Sequence, residues 1–203
     1  MEVIDFLKQN KELFQVPVDQ VDWKKIYELA FYIFEGNLGE FTKFWLNKNI
    51  HPEKYLTKLP DYFLSNTTIT SFEIPSNITI IDSRAFYNCS KLASVTIGNS
   101  VTSIYNSAFE GCSSLVSITI PDSVTSIGDF VFYKCDSLES ITIPDSVTSI
   151  GDWVLSNCRS LVNIKYQGNR EQWKNIKRLS SSFEKVPTSI VHCSDGDSYL
   201  MAV

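Results

Sequence analysis

SSLVSITIPDSVTSIGDFVFYKC over residues 113–135 is followed directly by DSLESITIPDSVTSIGDWVLSNC over 136–158. Before them stand TTITSFEIPSNITIIDSRAFYNC over 67–89 and SKLASVTIGNSVTSIYNSAFEGC over 90–112. These are four contiguous units of 23 residues, closed by Cys89, Cys112, Cys135 and Cys158. A fifth begins at Arg159 with RSLVNIKYQG and fades at Gly168. Upstream, Leu59-Pro-Asp-Tyr-Phe-Leu-Ser-Asn66 echoes Ile150-Gly-Asp-Trp-Val-Leu-Ser-Asn157 and reads as a worn half-repeat over 59–66. Self-similarity at such a period is the mark of a stacked-repeat architecture.

Apolar residues hold fixed places in each unit; in the third they are Leu115, Ile118, Ile120, Val124, Ile127, Val131, Phe132 and Cys135. Leu-x-x-Ile-x-Ile alternates with period two after its lead-in, which is strand chemistry. The proline that follows in three units (Pro75, Pro121, Pro144) cannot extend a ladder, so each strand is short. Asp-Ser then turns the chain, Val-x-x-Ile offers a second short extended piece, and the stretch to the cysteine predicts a helical turn. One unit cannot bury its apolar face alone, whereas stacked units can, at about 5 Å per strand.

These residues resemble the leucine-rich repeats of the BspA-like subclass, whose unit reads L-x-x-I-x-I-P-x-x-V-x-x-I-G-x-x-A-F-x-x-C. The match covers about half of the chain by repeats alone. Ile164-Lys-Tyr-Gln-Gly168, Gln172-Trp173 and Val191-His-Cys-Ser-Asp-Gly196 also resemble the C-terminal cap of many such arrays. The resemblance implies an α/β leucine-rich-repeat solenoid with short parallel strands, curved and used for binding, with an N-terminal helical cap and a C-terminal cap. It implies no catalytic activity.

The expected organisation is residues 1–58 as a helical cap or small module, 59–168 as the array, and 169–203 as the second cap. A solenoid exposes an apolar cross-section at each end, and these flanks can cover it. Trp23, Ile26, Tyr27, Ala30, Ile33 and Phe34 fall at helical spacing, with Asp19 or Asp22 available to cap and Gly36 to stop the run. A short helix is predicted before them, from Val3 to Phe14, and another after them carrying Leu38, Phe41, Phe44 and Trp45. Beyond the array, Arg170 to Leu179 predicts a helix with Trp173 and Ile176 inward and Arg170, Lys174, Lys177 and Arg178 on a basic outer face. An extended Ile190-Val191 edge follows.

The 203 residues carry 18 Lys plus Arg against 23 Asp plus Glu, a net charge of -5. An acidic protein is repelled by nucleic acid and by anionic membranes, so neither is an expected partner. Nothing approaches the 18 or so consecutive apolar residues of a membrane span, and the first residues are not those of a secretory signal. A reducing, cytoplasmic setting is therefore expected, or a virus-associated one. The charge is uneven: nets of -2, -6 and +3 over 1–66, 67–158 and 159–203.

Candidate chemistry is sparse, and no residues call for a metal or cofactor. Cysteines in register would lie about 5 Å apart with parallel side chains, whereas a disulfide needs Cβ atoms nearer 3.8 Å and inclined together. Cys89, Cys112, Cys135 and Cys158 therefore read as reduced, buried small hydrophobes. A 23-residue spacing offers zinc only a line of thiols. Cys193 beside His192 is a weak pair, because sequence neighbours on a strand face opposite ways. His51 precedes Pro52 and reads as solvated. Asp195-Gly196-Asp197 lacks the further carboxylates of a calcium loop and reads as a turn. The sequons at Asn66, Asn77 and Asn88 are incidental to Ser/Thr-rich repeats.

Surface columns say more. The outward strand positions are Glu73, Thr96, Thr119, Thr142 and Lys165, with Ser71, Ser94, Ser117, Ser140 and Asn163 beside them. That flat face with Thr96, Thr119 and Thr142 at its centre is either a solubilising surface or a binding platform. A second column varies: Arg84, Ser107, Phe130, Trp153, flanked by Tyr87, Glu110, Tyr133 and Ser156, with Tyr105 nearby. Aromatic and arginine side chains dominate interface hot spots. Arg84, Tyr105, Phe130, Tyr133 and Trp153 thus form a candidate interface, unless the rings fold down to seal the convex side. The expectation is a non-enzymatic protein-interaction module, monomeric, for an unidentified protein partner. The alternative is a cell-surface or virus-associated adhesin-type binder.

Overall fold

In a computed structural model, residues 3–33, 38–178, 180–188 and 190–200 are described. Three α-helices open the chain: α1 (Val3–Gln9), α2 (Trp23–Ile33) and α3 (Gly39–Asn47). The helix expected to reach Phe14 stops at Gln9 and gives way to a separate 3-10 turn over Lys11–Phe14. Asp22 caps α2 by accepting the Lys25 amide at 3.0 Å. Trp23, Ile26, Tyr27, Ala30, Leu38, Phe41 and Trp45 are buried together. Phe34 and Gly36 lie outside the described residues. The Tyr27 ring reaches the first coil at 5.7 Å from Phe63, so α2 packs against that end of the array.

The array is a stack of coils. Each contributes a short strand to one parallel sheet, ordered β1 (Lys58–Leu59), β3 (Ile80–Ile81), β5 (Ser103–Ile104), β7 (Ser126–Ile127) and β9 (Ser149–Ile150). A second strand from each coil forms another side: β2 (Ser71–Glu73) pairs with β4 (Ser94–Thr96), and β6 (Ser117–Thr119) with β8 (Ser140–Ile143). Register is one 23-residue unit between the full repeats, as in Ile118 opposite Ile141, and one residue shorter where β1 meets β3. The second sheet breaks between β4 and β6, where Gly98 stands in place of the unit's proline and Ile97 is only half-buried. Along the interior, Phe86, Phe109 and Phe132 stack at 5.0 and 5.7 Å.

The stretch to each cysteine is not the helical turn that the sequence suggests. It is a run of turns whose alternate amides bond to the next coil: Phe130, Phe132 and Lys134 donate to the carbonyls of Asp152, Val154 and Ser156 at 2.8, 2.9 and 3.1 Å. A helix would direct those amides along its own axis; here the neighbouring coil takes them.

The pattern that fades from the side chains after Gly168 persists in the backbone. β10 (Asn163–Tyr166) pairs with β8, and α4 (Arg170–Asn175) follows behind a capping box of Asn169 and Gln172. α4 ends before the expected Leu179 because Lys177 joins the short-strand ladder, its amide donating to Thr148 and its carbonyl accepting from Ile150. Residues 182 and 184 then accept from Leu155 and Asn157, repeating the turn run. Trp173 and Ile176 point inward as expected. Arg178 does not join a basic outer face: it is half-buried, its guanidinium 4.4 Å from the Trp173 ring centroid. Nor is Ile190-Val191 an edge, for β11 (Ile190–Cys193) is followed by β12 (Gly196–Tyr199) in an antiparallel hairpin turned at Gly196, φ 121°.

Candidate functional site

The variable column has a backbone cause. Tyr62, Arg84, Ser107, Phe130 and Trp153 occupy one position in successive coils, and all have φ of 57 or 58°. This left-handed conformation turns each amide along the stack, and it costs a residue with a Cβ about 1–2 kcal/mol. A second left-handed column, Asn66, Asn88, Gly111, Lys134 and Asn157, is filled mostly by the types that tolerate it. The first column holds three aromatic rings and an arginine with no such tolerance.

Beside it runs a ladder of short polar side chains. Asn106 Oδ1 accepts the Asp129 amide and Asp129 Oδ1 accepts the Asp152 amide, both at 2.9 Å. Gly128 and Gly151 precede these aspartates because a Cβ there would press into Asn106 and Asp129 of the coil below. Tyr105 occupies the same place one coil earlier, where the coil below has only Ser83. Its side chain is left 46% exposed.

The structure brings Phe130, Tyr133 and Trp153 into one cluster. Phe130 and Trp153 lie parallel, 1° between planes and 6.3 Å between centroids. Tyr133 stands perpendicular to both, at 5.6 and 6.5 Å. All three are half-buried, so the rings lean on one another without sinking into the core. Arg84 belongs to a separate end of the column, exposed over the Tyr62 ring at 5.5 Å. Tyr62 was not among the expected site residues, although the half-repeat signals it: Asp61-Tyr62 stands where Asp152-Trp153 stands.

On the strand face Thr96 and Thr119 are exposed and Thr142 is half-buried. The face carries a cavity at each end: one of about 620 Å³ lined by His51, Glu53, Phe72, Glu73 and Thr96 beside the 3-10 turn Pro52–Tyr55, and one of about 500 Å³ lined by Asn163, Lys165, His192 and Cys193. The His51 side chain keeps 39% of its surface in solvent, as expected of a solvated residue, with its Nδ1 3.0 Å from Oε1 of the buried Glu53. His192 pairs with Asp197 at 2.8 Å. Burial pushes the Cys193 thiol up, the opposite of what a thiolate nucleophile requires.

Known relatives share the repeat. The family model of the BspA type leucine rich repeat region, in 6 copies, matches residues 57–185. A leucine rich repeat protein of T. pallidum is 35% identical over 49% of this chain and 49% of its own, with a TM-score of 0.47. A leucine rich cell surface protein of Faecalibacterium prausnitzii is 35% identical over 55% of this chain and 36% of its own, TM-score 0.42. The chain thus spans about half or less of these solved relatives. No curated protein matches. More than half of the chain fits the family's repeat, and it belongs to the BspA-type leucine-rich repeat family.

Proposed function

We propose that this protein is a non-catalytic protein-interaction module that meets its partner through the column of Phe130, Tyr133 and Trp153. One observation carries the reading: large aromatic rings occupy strained left-handed positions at the surface, where Ser107 serves the same backbone turn in the coil below. The left-handed backbone is common to every coil, whereas a large ring on it is not, so the rings and not the turn call for a further role. Rings half-exposed in a rigid frame supply contact area at little entropic cost, which is what interface anchors do. The Thr96, Thr119 and Thr142 face offers small hydroxyls and no such anchors. Among the described residues no helix is long and apolar enough to cross a membrane.

Photo-crosslinking in the native cell tests the reading. A photoreactive residue replacing Tyr133 is expected to trap a discrete partner, and one replacing Thr119 to trap none. Adducts from position 119 and none from 133 would place the interface on the strands instead.

A further inference from the structure

The column already attracts cations of its own chain. The Arg84 guanidinium lies over Tyr62, and Lys134 Nζ lies 5.1 Å from the Tyr133 centroid. The face of an aromatic ring carries negative potential, and tryptophan is the strongest acceptor. Among the described residues, no cation of the chain lies over Phe130 or Trp153.

Carboxylates adjoin these rings in sequence. Asp129 and Asp152 immediately precede Phe130 and Trp153 and are half-buried. Asp129 spends one oxygen on the Asp152 amide. Among the described residues neither carboxylate is in an ion pair. Residues 67–158 hold nine acidic side chains against three basic ones, and two of those three are Arg84 and Lys134, engaged over rings. The net charge of residues 67–158 is negative, and among the described residues Lys134 is the one cation found over a ring of this cluster.

We propose that this cluster receives an arginine-bearing basic segment of a protein partner, the guanidinium lying on the Trp153–Phe130 stack with the Asp152 carboxylate as its counter-charge. The proposal rests on the aromatic column being the interface. Arginine fits better than lysine because its planar group can stack on a ring and pair with a carboxylate in the same pose.

Titration calorimetry of the full chain with a short oligoarginine peptide tests it, with oligolysine and oligoglutamate as comparisons. Asp152→Asn and Trp153→Leu should each weaken oligoarginine binding about tenfold, and oligolysine should bind less tightly. Asp122→Asn with Asp145→Asn, twice that change of charge at exposed turns elsewhere on the coils, should change it little. Asp152→Asn guards against misfolding, since the Asp152 carboxylate accepts no hydrogen bond among the described residues. Equal weakening by the remote pair would mean diffuse attraction only and overturn the assignment. Equal binding of oligoglutamate would overturn it too. If oligoarginine binding ignores this cluster while a Phe130→Ser, Trp153→Ala variant still loses the natural partner, the cationic class falls and the interface reading stands.

Discussion

Each ladder cysteine does more than fill space. Cys89, Cys112, Cys135 and Cys158 direct their S–H at the carbonyls of Leu64, Phe86, Phe109 and Phe132 in the preceding coil, at 2.9, 3.2, 3.3 and 3.1 Å. A thiol is small enough for the interior and carries one weak donor for a carbonyl there. None of the five cysteines is in a disulfide. Burial pushes the Cys158 thiol up from 9.0 to about 12, and raises Cys112 and Cys135 well above their usual range. The folded thiols stay protonated where the unfolded ones ionise, so stability is full below pH 9.0 and falls as pH rises towards about 12. Urea midpoints measured against pH should decline in that window, and less steeply in Cys135→Val. A flat profile, or one that Cys135→Val leaves unchanged, would mean that the thiols are not buried as described.

At the scale of elements, the helices meet the coils at one tight point. α3 begins at Gly39, and a Cβ there would overlap the backbone carbonyl oxygen of Ser65, which has no side chain to move aside. Gly39→Ala should therefore destabilise the protein by about 1–3 kcal/mol, as overpacking does. Limited proteolysis should then find residues 1–50 cut first. Unchanged stability and cutting would show that the helices are not seated on the first coil. The coils themselves were legible because Leu115, Ile118, Ile120 and their equivalents recur in register. The turn run was not, because Phe130 and Trp153 are residue types that rarely adopt a positive φ; only the Asn and Gly of the second column hint at it. The fifth coil faded from view for a related reason. Lys177, Ser182 and Glu184 join it through backbone atoms, which leave no pattern in side chains. Of the candidate site, the aromatic column was visible as a place where the units differ in large residues. Its stacking with Tyr133, and the tie of Arg84 to Tyr62, depend on geometry that spacing alone does not fix.

Taken whole, the molecule is an acidic stack between a helical cover and a basic end: residues 67–158 carry a net charge of -6 and 159–203 a net of +3. Stacking equivalent residues turns a single position into a column, so one face of the array varies in character while the interior stays apolar. The Ser/Thr strand face and the aromatic column lie on different segments of every coil, and a partner docked on one need not touch the other. Two double variants separate them, measured side by side for partner binding and thermal stability. Trp153→Ala with Phe130→Ser should abolish binding while lowering the melting temperature by only about a few degrees, since the rings are half-buried on each other. Thr119→Lys with Thr142→Lys adds bulk and charge to the strand face and should leave binding intact. Binding lost in the lysine pair and kept in the ring pair would contradict the account.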